Sequence, residues 1–217
     1  MTREIRVYVE GGGDEGKTKR RFRQGFNGFL GELRERARAK RIRWEVVACG
    51  GRSSTYDDFQ VALRSHPDAL NVLLVDAEGP ASASAPWNHL GSRQEDRWEN
   101  PGVSDDQCHL MIQMMEAWLI ADLEKLADYY GQGFQPSAIP RNPNVEQIDK
   151  PTLHRCLDRA TRQSRTKGAY HKTRHAPEIL ETLRASVVRA KAPACDRLLV
   201  TLAQYIDAEE EGQDGGS

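Results

Sequence analysis

Apolar and polar residues alternate near the start of the chain and predict its first strand. Ile5, Val7 and Val9 are apolar at every second position, and the pattern ends at Glu10, before three glycines. Apolar residues then recur at helical spacing, which predicts a helix with one buried face. The residues on that face are Phe22, Phe26, Phe29, Leu30, Leu33 and Ala37.

Two more strands follow, each after a helical segment. Residues 44–49 predict a second strand and residues 53–64 a helix, with Pro67 ending it. The third strand, residues 71–76, is continuously apolar, which is typical of a sheet covered on both faces. The order β-α-β-α-β predicts a mostly parallel α/β sheet flanked by helices.

The remaining chain is mainly helical and carries one long polar segment. Residues 79–106 predict a loop, and loops of this length are usually functional. A fourth strand and six further regions are expected along the rest of the chain. They are a strand at 107–114, a helix at 116–126, a linker at 131–150, helices at 151–163, 175–184 and 193–206, and an acidic tail at 207–217. Residues 1–130 therefore form the α/β domain, and residues 151–206 form a helical extension packed on it.

Composition predicts a cytoplasmic protein without a membrane span. Hydrophobic residues make up 38% of the chain, yet no apolar run approaches the roughly 20 residues that a span needs. The first nine residues lack the apolar stretch of a signal peptide. Four scattered cysteines without a CxxC pair agree with a reducing compartment.

Charge is unevenly distributed although the net charge is only −1. Eleven Lys or Arg and two acids lie between Lys17 and Arg43, and ten basic residues and three acids lie between Pro151 and Lys191. Such runs are as often solvated helix faces as binding surfaces. Flanking an acidic site, they suit a polyanion held over metal ions.

Three acids follow strands that should end at one edge of the sheet. Glu10 ends the first strand, Asp76 ends the third, and Glu78 lies two residues further on. Ligands of open α/β sheets bind at the carboxyl ends of the strands. Crowded carboxylates repel each other unless a cation lies between them, and Mg²⁺ prefers such hard oxygen ligands. The alternative is three solvated loop acids.

Other residues could complete this site. Asp14 is either a further metal ligand or a helix-dipole partner, and Glu116 is either a ligand or a first-turn acid of its helix. Lys172 is predicted to stabilise charge on a phosphate, and Arg52, Lys172 and Arg174 to contact nucleic acid. Surface salt bridges are the competing interpretation for these three cations.

A competing motif overlaps the first strand end. Gly11 to Thr18 satisfies the P-loop pattern GxxxxGK[ST], with Lys17 as its phosphate lysine, and it lies between a strand and a helix. Asp14 and Glu15 would place negative charge inside a loop that must hold phosphates. The NTPase interpretation therefore stays open as an alternative to the metal site.

Two short stretches resemble the Toprim pattern of a strand-end Glu-Gly followed by an acidic pair. They are Val7 to Gly11 and Leu74 to Glu78, the latter with Glu78 where Toprim often has Asp. Over nearly its whole length the chain also resembles a family of uncharacterised Toprim-like bacterial proteins. The matching stretches are Val9 to Asp14, Ala48 to Arg52, Asp105 to Gln113, Met115 to Asp122, Asn142 to Glu146 and Tyr170 to Lys172.

This resemblance implies a metal-dependent nuclease. Glu10 would act as general acid/base or ligand, and Asp76 and Glu78 would bind Mg²⁺ or Mn²⁺. Such proteins are often encoded beside ABC- or SMC-like ATPases and are suspected in antiviral defence. An ATPase subunit and nucleic acid are thus the expected partners. A non-catalytic Toprim-like partner subunit of an ATPase is a further alternative.

Overall fold

A parallel sheet of four strands lies at the centre of the protein. The structure is a computed structural model that describes residues 3–13 and 15–208. The strands are β1 (Glu4–Glu10), β2 (Arg43–Gly50), β3 (Leu70–Asp76) and β4 (Cys108–Met111), in the order β2-β1-β3-β4. All three strand pairs are parallel. The predicted α/β class, with a parallel sheet flanked by helices, is confirmed, and the order is consistent with a Toprim-like arrangement.

Ten helices surround this sheet within the described residues. They are α1 (Gly16–Phe29), α2 (Gly31–Ala39), α3 (Arg52–Ser65), α4 (Pro86–Ser92), α5 (Glu116–Ala121), α6 (Leu123–Tyr130), α7 (Lys150–Thr161), α8 (Lys172–Leu180), α9 (Ala185–Arg189) and α10 (Pro193–Asp207). None of these helices is long and apolar enough to cross a membrane.

The side chains of β3 alternate between two separate cores. Val72 and Leu74 pack with α1, α2 and the C-terminal helices, whereas Leu73 and Val75 pack with α3 and α4. Successive strand residues face opposite sides, so an apolar run over the whole strand is what a three-layer structure requires. Burying both faces fixes the register of β3 and hence the position of Asp76 at its end.

Several predicted boundaries differ from those observed. The helix after β1 is divided at Leu30, although all six residues of its predicted face are buried. The helix predicted at 116–126 divides at Asp122, whose side chain caps α6 by accepting the Lys125 N–H and also binds Arg184. Local capping of this kind ends a helix although the apolar pattern continues.

Three further boundaries shift. The fourth strand covers only Cys108–Met111, and the helix predicted to begin at residue 175 begins at Lys172. α10 extends to Asp207, the first residue of the predicted tail, and residues 209–217 lie outside the described part of the chain. The long segment 79–106 contains the unpredicted helix α4, which Pro86 begins.

The C-terminal helices share a core with the sheet. Leu153 of α7, Ile179 of α8 and Leu198 of α10 belong to the same buried cluster as Val7 of β1. α1 and α8 approach closely through glycines. A Cβ on Gly25 would lie 2.6 Å from the Pro177 carbonyl oxygen, so the missing side chain permits the contact.

This helix contact can be tested by Gly25→Ala. Alanine favours helix formation, but here its methyl would meet backbone atoms, and we expect a loss of stability of about 1–3 kcal/mol. Gly31→Ala is the matched control, because nothing lies within 4 Å of the added Cβ. Urea unfolding measures both variants. Equal or greater stability of Gly25→Ala would contradict the close packing of α1 on α8.

Candidate metal centre

The structure brings three predicted acids together at the carboxyl edge of the sheet. One carboxylate oxygen each from Glu10, Asp76 and Glu78 can be chosen so that all three lie within 4.8 Å of one another. β1 and β3 are adjacent, so their ends place Glu10 beside Asp76. The cluster could hold a metal ion, since its donors are hard carboxylate oxygens.

Glu78 reaches the cluster through a turn and not through continued strand geometry. β3 ends at Asp76, and Glu78 has a φ of 63°, in the left-handed region that non-glycine residues rarely adopt. Its N–H donates to the Gln113 carbonyl at 2.8 Å, and the Ala77 N–H donates to the Met111 carbonyl at 2.9 Å. These bonds hold a strained residue, and strain of this kind is often found at functional sites.

Glu10 is partly buried and its charge is only partly compensated. Its Oε2 accepts hydrogen bonds from Arg52 Nη1 at 3.0 Å and from the Asp76 N–H at 3.2 Å. Burial and the neighbouring Asp76 carboxylate raise the pKa of Glu10 to about 7, against the opposing effect of Arg52. In the absence of metal, Glu10 therefore exchanges its proton close to neutral pH.

Asp76 is the most firmly held member of the cluster. It is buried, its Oδ1 accepts the Met115 N–H at 2.7 Å, and its Oδ2 lies 3.2 Å from Lys172 Nζ. The Met115 bond ties the end of β3 to the residue before α5. Removing the carboxylate would leave that buried N–H without its acceptor, which carries a cost of about 1–3 kcal/mol.

Lys172 joins Asp76 to Glu116, which lies outside the group of three. Lys172 Nζ is 3.5 Å from Glu116 Oε2, and the Tyr170 hydroxyl donates to Glu116 Oε1 at 3.0 Å. Glu116 is fully buried, and burial raises its pKa, with Asp76 adding to the effect and Lys172 opposing it. Burial alone would lower the pKa of Lys172, but Asp76 and Glu116 raise it, so this lysine stays charged.

Lys150 is a site residue that sequence reasoning missed. Its Nζ contacts Glu78 Oε2, and its backbone N–H donates to Gln113 Oε1 at 3.3 Å. Burial acts to raise the pKa of Glu78, but the bond and charge of Lys150 lower it below the usual value. Nothing in the local pattern near residue 150 indicates a partner more than seventy positions away; only the start of α7 could be predicted there.

The long segment 79–106 also contributes to the site. Asp96 binds Arg52 through two hydrogen bonds of 2.8 and 2.6 Å, and the Arg52 guanidinium lies 4.9 Å from the ring centroid of Trp98. Arg93 donates to Asp96 at 2.6 Å and to the Ala77 carbonyl at 3.2 Å. This segment therefore orients Arg52 towards Glu10, a role that the sequence indicated only through the length of the loop.

Two predicted site residues do not join the cluster. Asp14 lies outside the described residues. Arg174 is exposed, and no ion pair links it to the described part of the chain. Of the three cations predicted to contact nucleic acid, Arg52 and Lys172 thus lie at the carboxylates and Arg174 does not.

The first glycine of the P-loop pattern, Gly11, is hydrogen-bonded to the neighbouring strand. Gly11 donates to the Gly50 carbonyl at 2.8 Å and accepts the Gly50 N–H at 3.1 Å. Lys17 is exposed in the first turn of α1. The Gly11 N–H is therefore occupied, whereas phosphate-binding loops direct their backbone N–H groups at the ligand.

A family model matches residues 9–203 of the chain, described as "Domain of unknown function (DUF4276)". The chain belongs to this family. The match runs from the end of β1 into α10, so every described residue of the carboxylate cluster and the cations around it lies within the DUF4276 domain. No curated protein and no solved structure matched the chain.

The raised pKa of Glu10 predicts a pH dependence of stability. The unfolded value is about 4.5 and the folded value about 7, so the folded state binds the extra proton between them. The contribution of Glu10 to stability is therefore complete below pH 4.5 and is lost as pH rises through 7. In metal-free buffer, we expect the free energy of unfolding of Glu10→Gln to rise relative to that of the wild type. The expected rise is about 1–3 kcal/mol between pH 4.5 and 7.5.

Urea unfolding of both proteins at several pH values measures this difference. Burial also raises the pKa of Glu146 to about 7, but both proteins contain Glu146, so its effect on stability cancels in the difference. A difference between the two proteins that stays constant with pH would contradict the assignment.

Proposed function

We propose that this DUF4276 protein is a divalent-metal-dependent nuclease of Toprim type that hydrolyses phosphodiester bonds in nucleic acid. The observation that carries the proposal is the convergence of Glu10, Asp76 and Glu78 at the carboxyl edge of a parallel sheet. Ligand sites of open α/β sheets form at this edge. Lysine and arginine side chains surround the cluster, as a site for an anionic substrate requires.

The chemistry of the donors suits Mg²⁺ or Mn²⁺. All three groups are carboxylates, and the Oε1 atoms of Glu10 and Glu78 accept no hydrogen bond from the described chain. Hard oxygen ligands of this kind, few in number, leave coordination positions for water and phosphate. When bound, such an ion would polarise a phosphoryl oxygen and lower the pKa of bound water.

The chain's own groups would provide positioning and charge. Lys172 and Lys150 are partly exposed and can each donate to a phosphate oxygen while they remain charged. Glu10, with a pKa of about 7, can hold or release a proton at neutral pH. Arg52 is fixed by Asp96 and limits the movement of Glu10.

A P-loop NTPase remains the alternative that the motif suggests. It would use Gly11 to Thr18, but the Gly11–Gly50 bonds and the adjacent carboxylates favour the metal site. A non-catalytic partner subunit would keep the fold and bind no metal. The ABC- or SMC-like ATPase partner and the role in antiviral defence rest on the resemblance to Toprim-like bacterial proteins.

The proposal is tested with Asp76→Asn. The amide keeps an oxygen that can accept the Met115 N–H, so the fold should survive better than in Asp76→Ala. We expect metal-dependent cleavage of DNA or RNA to be lost and Mn²⁺ binding to weaken at least roughly tenfold. Cleavage assays and titration calorimetry measure the two effects, and thermal melting checks folding.

Asp57→Asn is the matched control, because Asp57 is exposed on α3 and is not one of the clustered acids. It should cleave and bind Mn²⁺ like the wild type. Equal cleavage by Asp76→Asn and wild type would reject the catalytic assignment. Cleavage assays with and without an ABC- or SMC-like ATPase subunit test whether cleavage depends on such a partner.

Lys17→Ala separates the nuclease from the NTPase. Lys17 is exposed and is not part of the carboxylate cluster, so its removal should change metal-dependent cleavage less than about threefold. A phosphate-binding lysine would instead be needed for nucleotide binding and turnover. Measured ATP hydrolysis that Lys17→Ala abolishes would favour the NTPase.

A further inference from the structure

The basic run from Lys17 to Arg43 contains two groups of cations, which differ in whether they form ion pairs. On α2 and the turn after it, Arg36 and Lys40 both bind Asp207, at 2.6 and 3.4 Å. On α1, by contrast, no carboxylate of residues 3–13 and 15–208 lies within 4.0 Å of Lys19, Arg20 or Arg23. The first group is paired within the protein, and the second group is left available to a ligand.

These three cations line a groove along the edge of the sheet. A cavity of about 250 Å³ lies between α1 and β2, and its lining residues are Gly16, Lys19, Arg20, Arg23, Glu45, Val46, Val47 and Ala48. β2 is an edge strand, so its outer side presents backbone N–H groups as well. Glu45, the one acid among the described lining residues, is paired with Arg6 at 2.8 Å, and Arg6 also contacts Glu4 at 2.8 Å.

One end of the groove lies at the carboxyl ends of the strands, where the carboxylates are. A Cβ on Gly50 would lie 3.3 Å from Lys19 Nζ, so the Lys19 ammonium lies against the end of β2. Gly50 is paired with Gly11, the residue after Glu10. From there Arg20 and Arg23 continue along α1 towards the opposite edge of the sheet.

We propose that the groove between α1 and β2 binds the phosphate backbone of the nucleic acid and leads it to the carboxylate cluster. The inference rests on the proposed function for its choice of ligand, since an acidic peptide would also suit the cations. Phosphates accept hydrogen bonds from guanidinium and ammonium groups and from backbone N–H groups, all of which this groove offers. No contact to bases is involved, so binding is independent of sequence.

The test is the double variant Arg20→Gln/Arg23→Gln, with Arg36→Gln/Lys40→Gln as matched control. Both remove two charges from the same basic run, but the control residues are already paired with Asp207. Binding of a labelled single strand and a labelled duplex is measured by fluorescence anisotropy in EDTA at several salt concentrations. Because metal and cleavage are absent, the result does not depend on catalysis.

The groove variant should bind more weakly, and its slope of log K against log salt should fall in magnitude. The expected decrease is about 1.8 for the duplex or about 1.4 for the single strand, from two lost phosphate contacts. The control should keep the wild-type slope. An unchanged slope in the groove variant, an equal fall in the control, or no binding by the wild type would overturn the inference.

This outcome is distinguishable from failure of the proposed function. If Asp76→Asn and wild type cleave equally while the groove variant loses binding, the nuclease assignment fails and the groove stands. If cleavage requires Asp76 but the groove variant binds normally, the nuclease assignment stands and the groove proposal fails. Binding of an acidic peptide, but not of nucleic acid, would also overturn the groove proposal.

Discussion

Electrostatic repulsion between carboxylates is the constraint on which the arrangement of this protein depends. Parallel pairing of β1 and β3 forces Glu10 and Asp76 to one edge, and the turn at Glu78 adds a third acid. Close carboxylates raise each other's pKa unless cations compensate them. The protein supplies one cation for each: Arg52 for Glu10, Lys172 for Asp76 and Lys150 for Glu78.

These cations come from distant parts of the chain, which explains why the C-terminal helices are integral to the site. Arg52 begins α3, whereas Lys150 begins α7 and Lys172 begins α8. Each lies in the first turn of its helix, so the starts of three helices meet at the carboxylates. Separating the α/β domain from a helical extension would leave the acids without two of their three partners.

Sequence reasoning predicted the elements that periodicity controls and missed those that depend on tertiary contacts. The three acids could be located because strand ends in a parallel sheet share an edge. The burial of β3 could be predicted from its continuous apolar run. Lys150 and Asp96 could not be located, because their partners are 72 and 44 residues away. The division of the predicted helix at 116–126 combines both kinds of contact, because Asp122 caps α6 locally and also binds Arg184 from another part of the chain.

The packing of α8 on α1 links the fold to the charge balance of the site. Gly25 and Gly28 let α1 approach Pro177 and Glu181 closely, which holds the C-terminal half of α8 against α1. Lys172 is the first residue of α8, so the same contact sets how far its ammonium reaches towards Asp76 and Glu116. α1 also carries the cations of the groove on its opposite, exposed face. One helix thus determines both where the compensating charge lies within the site and where an anionic ligand meets the surface beside it.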